Sequence, residues 1–299
     1  METLHFKVAG KNFSIAADKA SMLKKLLPSY APFYLPEPDD ALMLRAEVID
    51  NAVDTQATGK ELGQFDCGGT NHGIYQLEDG YKIVISNEEN QPAAAMLTNA
   101  DFSQCTISLL GDDTVRSFGL GNAMMIAFAF SAAHHHILLM HASVTMYQNK
   151  GYLFLGKSGT GKSTHSSLWR KYIEGADLLN DDNPAVRVME DGSVIVYGTP
   201  WSGKTPCYRN LQFPVGAFVR LEQYPQNEIR QEPVLQAFAS VLSSCSTMMW
   251  DKPSYQGITR TVEGVVKRVP VFYLKCRPDE EAARLSYQHI VKDYWRLGN

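Results

Sequence analysis

A phosphate-binding loop pattern is the feature that most constrains this chain. Residues 151–172 read GYLFLGKSGTGKSTHSSLWRKY, an apolar run followed by a glycine-rich turn and an amphipathic segment. The turn matches G-x-x-x-x-G-K-[ST], with Gly156, Gly161, Lys162 and Ser163 at the fixed positions. The pattern indicates a phosphate site only when it lies between a strand and a helix. Here the apolar residues before it are typical of a strand, and the residues after it are typical of a helix. We therefore predict a strand–loop–helix unit that binds nucleotide phosphates.

The residue types in this loop suit an anion for physical reasons. Glycine reaches backbone conformations closed to residues with a Cβ, so successive N–H groups can converge on one phosphate. The following helix adds its unpaired N–H groups and the positive end of its dipole. In this pattern the lysine reaches the β- and γ-phosphates and the serine hydroxyl ligates Mg²⁺. With ATP and Mg²⁺ as the expected ligands, the predicted binding residues are Gly156, Ser158, Gly159, Thr160, Gly161, Lys162, Ser163 and Thr164.

Two adjacent carboxylates, Asp181 and Asp182, follow the next apolar run. They are expected at the carboxyl end of a strand, where the ligand crevices of open α/β sheets lie. Neighbouring side chains on an extended backbone point to opposite sides. One carboxylate could therefore ligate metal while the other faces a phosphoryl acceptor. The alternative is a solvated turn, because Asn-Asp-Asp-Asn-Pro is good turn chemistry in its own right.

Length and composition exclude several classes of protein. The 299 residues are long for one core, and 44% apolar with 20% charged residues is typical of a globular protein. A net charge of −4 argues against a general binder of nucleic acid or of anionic membranes. The five cysteines are scattered without C-x-x-C spacing, which favours a reducing compartment. No signal-peptide pattern or membrane-length apolar helix is seen, so we expect a cytoplasmic location.

The pattern of the chain changes near residue 115. Residues 1–115 carry short alternating strand-like runs separated by Gly, Asp and Asn turns, with one early helix. This part is predicted to be a smaller, mostly antiparallel β (α+β) domain. From a predicted helix over Thr114–Ala133 onward, strands and helices alternate, which is typical of α/β architecture. We therefore divide the chain into residues 1–115 and a nucleotide-binding domain over residues 116–299.

The order of three segments resembles a known family. The run ILLMHASV, the loop GKSGTGKST and the run LLNDDNPAV follow one another as in the kinase domain of bacterial HPr kinase/phosphorylase. That fold is shared with the ATP-dependent phosphoenolpyruvate carboxykinases. The similarity covers roughly Leu120–Leu221. It implies an α/β P-loop kinase domain of the HPr kinase/phosphoenolpyruvate carboxykinase type, and it also implies homo-oligomers.

The resemblance assigns roles to individual residues. It implies that Asp182 is the base toward a seryl hydroxyl, that His141 partners Asp182, and that Lys162 binds the phosphates. Ser163 and Asp181 are then the residues expected to hold Mg²⁺. The implied function is an ATP-dependent phosphotransferase that modifies a hydroxyl, most naturally a seryl hydroxyl, on a protein, peptide or small molecule.

One departure from the family keeps other functions open. Members that act on HPr carry an acidic second metal ligand on the strand before a glycine, whereas Val194–Tyr197 reads VIVY. This favours an acceptor other than HPr, and it also leaves open a catalytically silent nucleotide-binding sensor or assembly module. A decarboxylating carboxykinase is a weaker alternative. The following segment, Gly198–Lys204, is either a surface loop or a binding loop. In the second case Trp201 and Lys204, with Arg209 just beyond the loop, would bind an acceptor or the γ-phosphate, and Lys204 is the preferred extra cation.

Overall fold

The structure, a computed structural model, describes residues 1–67, 70–203 and 205–293. The protein is of mixed α/β type, as predicted, with two nine-stranded sheets. Its chain divides into two compact units, one formed by Met1–His135 with Met248–Ser254 and the other by His136–Thr247 with the chain from Tyr255 onward. The long helix that the sequence analysis assigned to the second domain falls in the first unit. The boundary between functional domains stays a prediction.

Among the described residues, the first unit contains one sheet, two complete helices and a short 3₁₀ segment, Pro28–Phe33. Its strands are β1 (Glu2–Val8), β2 (Lys11–Ala17), β3 (Tyr34–Leu35), β4 (Leu42–Val48), β5 (Lys60–Cys67), β6 (Thr70–Leu77), β7 (Gly80–Ser86), β8 (Pro92–Asn99) and β9 (Gln104–Leu109). The strand order is β3-β1-β2-β4-β9-β8-β7-β6-β5. Strand β4 runs parallel to β2 and β9, and the other neighbouring strands are antiparallel. The prediction of a mostly antiparallel β region with one early helix, α1 (Ala20–Leu26), is confirmed.

Helix α2 (Asp113–Ala133) confirms the predicted long helix. It begins at Asp113 because the side chain of Asp112 accepts hydrogen bonds from the backbone N–H groups of Thr114 and Val115. Most residues from Gly119 onward are buried, as expected for a core helix. Among the described residues, no helix is long and apolar enough to cross a membrane.

The second unit contains the remaining sheet. Its strands are β10 (Ile137–Leu139), β11 (Ala142–Tyr147), β12 (Lys150–Leu155), β13 (Asp177–Asn180), β14 (Ala185–Val188), β15 (Val194–Tyr197), β16 (Gln212–Gln223), β17 (Glu228–Gln231) and β18 (Val271–Cys276). Its helices are α3 (Lys162–Tyr172), α4 (Val234–Leu242), α5 (Lys252–Val266), which starts in the first unit, and α6 (Glu280–Tyr287), which continues as a π-helical turn over Gln288–Asp293. The sheet order is β10-β14-β15-β16-β12-β11-β13, with β18 paired to β16 and β17 to β18.

Strand β12 connects the elements that carry the predicted site. It pairs antiparallel with β11 and parallel with β16, and its last residue, Leu155, is in register with Ala142 on one side and Arg220 on the other. Strand β13 pairs antiparallel with β11, so it runs in the same direction as β12. The segments that follow β12 and β13 and the segment that precedes β11 therefore meet at one edge of the sheet.

Two elements of this unit differ from what the sequence pattern indicates. The apolar run Ile137–Met146 has the pattern of one strand, but it is broken at Met140 and His141, where Met140 forms an isolated bridge to Cys245. His141 therefore lies at the break and not within a strand. Helix α5 was not predicted, because its sequence is rich in β-branched residues and glycine and has weak helix propensity.

Buried aromatic and imidazole rings fix helix α3 to the core. Trp169, fully buried, packs against Tyr152 and Phe154 of β12. Its indole N–H donates to Ser286 Oγ of α6 at 2.9 Å, and His165 Nε2 lies 3.0 Å from the same oxygen. Ser286 Oγ donates to the carbonyl of Ala283, so the imidazole is the donor to this hydroxyl. Burial lowers the pKa of His165 to about 3, and the ring is neutral in the folded protein.

This burial predicts a pH dependence of stability. The folded-state pKa of His165 lies below its ordinary value of 6.5, so the unfolded chain binds the extra proton first as the pH falls. Stability from the neutral ring is present above pH 6.5 and is lost below it, by up to about 1.4 kcal/mol per pH unit. In urea unfolding followed by tryptophan fluorescence between pH 7.5 and 5.5, His165→Gln should lose less stability with falling pH than the wild type. Parallel pH profiles would contradict this assignment.

Candidate active site

The loop between β12 and α3 has the backbone that the glycine pattern predicts. Gly161, the residue before α3, has φ +98° and ψ +21°, a left-handed conformation that favours glycine. At Gly156 there is no room for a side chain, since a Cβ would lie 2.2 Å from Thr160 Oγ1. The amide and hydroxyl of Thr160 both point back to the carbonyl of Lys157, at 3.2 and 2.8 Å. The loop is thus a tight turn in which glycine is required on both sides.

Lys162 lies folded across this loop. Its side chain is buried, and Nζ donates to the carbonyls of Gly156 at 3.0 Å and Lys157 at 3.3 Å. Burial lowers the pKa of Lys162, Asp182 raises it, and the positive charge of Arg220 lowers it further. The ammonium group is therefore held over the loop by neutral carbonyl groups, which a phosphate oxygen could replace as partners.

The Asp-Asp turn is shaped by Asn180, the last residue of β13. Its Oδ1 accepts hydrogen bonds from the amides of Asp182 and Asn183 at 3.0 and 2.9 Å, and its Nδ2 donates to the carbonyl of Trp201 at 2.9 Å. The carbonyl of Asp182 accepts from the amide of Ala142 at 2.9 Å, which fixes the turn to the start of β11. The Asn-Asp-Asp-Asn-Pro segment is therefore a turn, and the hydrogen bonds of this turn fix the positions of both carboxylates.

The Asp181 carboxylate points into the protein beneath α3. It is 3% exposed, and its Oδ1 accepts from Ser143 Oγ at 2.9 Å, while Ser143 Oγ lies 2.6 Å from Ser166 Oγ of α3. Its Oδ2 is buried without a hydrogen-bond partner among the described residues. Such an orphaned oxygen is costly unless a ligand satisfies it. Ser163, exposed in the first turn of α3, offers a second hard oxygen, so the two residues fit Mg²⁺, which takes few protein ligands beside phosphate oxygens and water.

The Asp182 carboxylate points to a different environment. Its Oδ1 lies 3.7 Å from His141 Nε2, which is the distance of an ion pair and is too long for a hydrogen bond. Burial raises the pKa of Asp182 above its ordinary value, and the neighbouring Asp181 adds to this effect, while His141 and Lys162 oppose it. Asp182 Oδ2 also accepts from Asn183 Nδ2 at 2.8 Å. The structure therefore gives the two adjacent carboxylates two distinct surroundings.

The segment after β15 packs on the Asp-Asp turn. Thr199 and Trp201 are buried, and Thr199 Oγ1 donates to the carbonyl of Asn183 at 2.6 Å. A Cβ on Gly203 would lie 3.1 Å from the Cβ of Asp182, a tighter contact than most Cβ atoms make, so the segment approaches the turn closely. Arg209 is engaged elsewhere, with Nη1 2.6 Å from Asp177 Oδ2. Lys204, the extra cation suggested by the sequence, lies outside the described residues.

An open cleft of about 640 Å³ borders the other side of the loop. The walls come from the loop and α3 and from the ends of β16 and β18, and they are formed by Gly159, Thr160, Gly161, Thr164, His165, Leu168, Gln223, Tyr224, Pro225, Cys276, Arg277 and Pro278. Gln223 Nε2 donates to the carbonyl of Gly159 at 3.0 Å, which ties the loop to β16. Asn227 Oδ1 accepts from the amide of Arg277 at 2.9 Å and holds the opposite wall. The cleft is mostly apolar and is continuous with the predicted phosphate site.

The structure brings the residues predicted from the phosphate-binding loop, His141 and the Asp-Asp pair to one edge of the second sheet. The loop and the first turn of α3 carry the eight predicted nucleotide-binding residues, and His141, Asp181 and Asp182 lie beside them. Sequence reasoning missed Ser143, Ser166 and Arg220. Ser143 lies two residues after His141 in the same motif, so its position was a usable signal. Arg220 lies in a strand far along the chain, and nothing in its local pattern marks it.

Comparisons with known proteins add little. No family model matches the chain, and no curated protein matches it. One similar solved structure is that of the HPr(Ser) kinase/phosphatase from Coxiella burnetii, with 14% identity and a TM-score of 0.32, covering 54% of this chain and 99% of that one. What this protein does has therefore to be inferred from its own side chains.

The charge arrangement predicts how Asp182 titrates. Because Lys162 lowers the pKa of Asp182, Lys162→Met should raise that pKa further. The measurement is a ¹³C NMR titration of the Asp182 carboxyl carbon in the protein without nucleotide. Lys171→Met, which removes an exposed lysine of the same helix, is the matched control and should leave the titration unchanged. A shift of equal size in both variants would show that Lys162 is not the specific neighbour.

Proposed function

We propose that this protein is an ATP-dependent phosphotransferase that transfers the γ-phosphoryl group to a hydroxyl, most naturally a seryl hydroxyl, of a protein, peptide or small molecule. The observation that carries the proposal is the convergence of Lys162, Asp181 and the Asp182–His141 pair at the end of β12. Each of these groups has an environment suited to a different part of the reaction.

The loop and the cleft beside it provide for the nucleotide. Phosphates would lie against the loop amides and the N-terminus of α3, and Lys162 would exchange its carbonyl partners for phosphate oxygens. Lys162 points toward Gly156, whereas the cleft lies on the side of Gly159–Thr164. The γ-phosphoryl group would therefore be near Gly156, and the nucleoside would occupy the apolar cleft, where Tyr224 and Leu168 offer surface for a base.

Asp181 and Ser163 are the residues that would hold Mg²⁺. The support is the unpartnered, buried Oδ2 of Asp181 and the hydroxyl oxygen of Ser163 at the start of α3. When bound, Mg²⁺ neutralises part of the charge on the phosphate oxygens. Ser143 keeps the carboxylate of Asp181 oriented by its hydrogen bond to Oδ1.

Asp182 is the proposed base. The acceptor oxygen attacks the γ-phosphorus while the bond to the β,γ-bridging oxygen breaks, ADP leaves, and the hydroxyl proton passes to the Asp182 carboxylate. Burial raises the pKa of Asp182, which makes the carboxylate a better proton acceptor than an exposed aspartate. His141, 3.7 Å away, orients this carboxylate.

A catalytically silent nucleotide sensor is the second candidate. The observation that favours it is the absence of an acid in Val194–Tyr197, whose last residue pairs with Ala185 just after the Asp-Asp turn. A sensor would bind MgATP without hydrolysing it, so no inorganic phosphate would be released. Both candidates bind MgATP, so only a measurement of ATP turnover distinguishes them.

Lys162→Ala should weaken MgATP binding by about a hundredfold, because it removes a charge-assisted contact to the phosphates. Isothermal titration with MgATP and MgADP is the measurement. Lys157→Ala, which removes the exposed lysine of the same loop, is the matched control and should bind like the wild type. Equal affinities for the wild type and Lys162→Ala would reject the loop as the nucleotide site.

Asp182→Asn should keep MgATP affinity within about threefold and lower phosphoryl transfer by roughly 10²–10⁴-fold, because the amide cannot accept the proton. Transfer to water, followed as release of inorganic phosphate from ATP, is a readout that needs no identified acceptor. Labelled ATP with a panel of serine-containing peptides is the second readout. Asp191→Asn, in the exposed β14–β15 turn, is the control. Unchanged transfer in Asp182→Asn would remove Asp182 as the base.

A further inference from the structure

Arg220 occupies a position that the motifs do not cover. It belongs to β16 and is in register with Leu155, the residue directly before Gly156. On the other side of Leu155, the register partner is Ala142, which follows His141. Arg220, within β16, and His141, directly before β11, therefore flank the start of the phosphate-binding loop.

The guanidinium of Arg220 has neutral partners. Nη1 donates to Ser243 Oγ at 3.0 Å and lies 3.4 Å from Ser244 Oγ, both just after α4. Within the described part of the chain, no carboxylate lies within ion-pair distance of Arg220, whereas Arg209 pairs with Asp177 and Arg277 pairs with both Asp279 and Glu281. The nearby acid of the same strand, Glu222, instead accepts a hydrogen bond from the Tyr273 hydroxyl. Two hydroxyl groups orient a guanidinium but leave its charge uncompensated.

Ser244 connects Arg220 to the rest of the site. Its carbonyl accepts a hydrogen bond from the amide of His141 at 2.7 Å, while its hydroxyl contacts Arg220. The hydroxyl also contacts the carbonyl of Ser240, so α4 fixes the position of this serine. The charge of Arg220 lowers the pKa of Lys162, so the two cations are close enough to repel each other. Arg220 is thus held by the same segment that holds His141.

We propose that Arg220 binds the γ-phosphoryl group of the nucleoside triphosphate at this loop and stabilises the charge on that group during transfer. The proposal deepens the proposed function and rests on it. A guanidinium presents a planar pair of donors that matches two phosphate oxygens, and its charge is permanent. Lys162 and Arg220 then approach the same group from the loop and from β16. ADP lacks this group and would not engage Arg220.

The difference between triphosphate and diphosphate gives the test. The probes are the magnesium complexes of ADP and of the non-hydrolysable β,γ-imido analogue of ATP, titrated calorimetrically into wild type, Arg220→Gln and Arg220→Lys. Arg220→Gln keeps a side chain able to bond with Ser243 while removing the charge. It should weaken triphosphate binding by about ten- to a hundredfold and leave ADP binding within about twofold. Arg220→Lys should recover part of the triphosphate affinity.

Two controls keep this inference separate from the proposed function. Arg284→Gln, an exposed arginine of α6 paired with Glu280, should leave both affinities unchanged. If wild type binds both nucleotides and depends on Lys162, but Arg220→Gln weakens both equally or neither, the role of Arg220 is overturned while the nucleotide site stands. If wild type binds neither nucleotide, the proposed function and this inference both fail. Preferential loss of the triphosphate in Arg220→Gln supports the inference.

Discussion

The register of β12 with its two neighbours is the constraint on which the site depends. Leu155 is paired with Ala142 and with Arg220, so the loop that follows it starts between His141 and Arg220. A shift of one residue in either pairing would turn the side chains of that strand to the other face of the sheet. The register is fixed because Tyr152 and Phe154 of β12 pack with Trp169, and Ala217 and Val219 of β16 belong to the same buried cluster. Core packing thus places the polar groups at the edge.

Burial then separates the roles of two adjacent aspartates. Asp181 is enclosed with Ser143 and keeps one oxygen without a partner, whereas Asp182 lies nearer the surface, beside His141. Neighbouring residues of identical chemistry acquire different properties when their surroundings differ. Asn180 gives the two aspartates their different surroundings. Its side-chain oxygen accepts hydrogen bonds from the turn, and its amide nitrogen donates to the carbonyl of Trp201. The same turn that the sequence presents as a structural alternative is what makes a two-carboxylate site feasible.

The sequence predicted what depends on short stretches of chain. The loop, the long helix α2 and the edge position of the Asp-Asp turn could be predicted from local patterns, since the glycine spacing and the apolar runs act within a few residues. The break at Met140 and His141 could not, because the apolar run continues through it and the break is stabilised by pairing with Cys245. Arg220 was also out of reach. Its meaning comes from pairing with a strand about 65 residues earlier in the chain, a separation at which local patterns carry no register information.

The pairing of β14 with β15 bears on how many metal ions the site could hold. Strand β15 ends beside the Asp-Asp turn, since Tyr197 is in register with Ala185, yet Val194, Val196 and Tyr197 offer buried side chains and no carboxylate there. Within the described residues, no group of three or more His, Cys, Asp or Glu side chains is arranged to hold an ion. Under the proposed function, Asp181 and Ser163 would hold one Mg²⁺ together with phosphate oxygens and water. Under the proposed function, the remaining negative charge of the transferred group would then fall to fixed cations. On our proposal, Lys162 and Arg220, which β12 and β16 bring to the same edge of the sheet, would supply that positive charge.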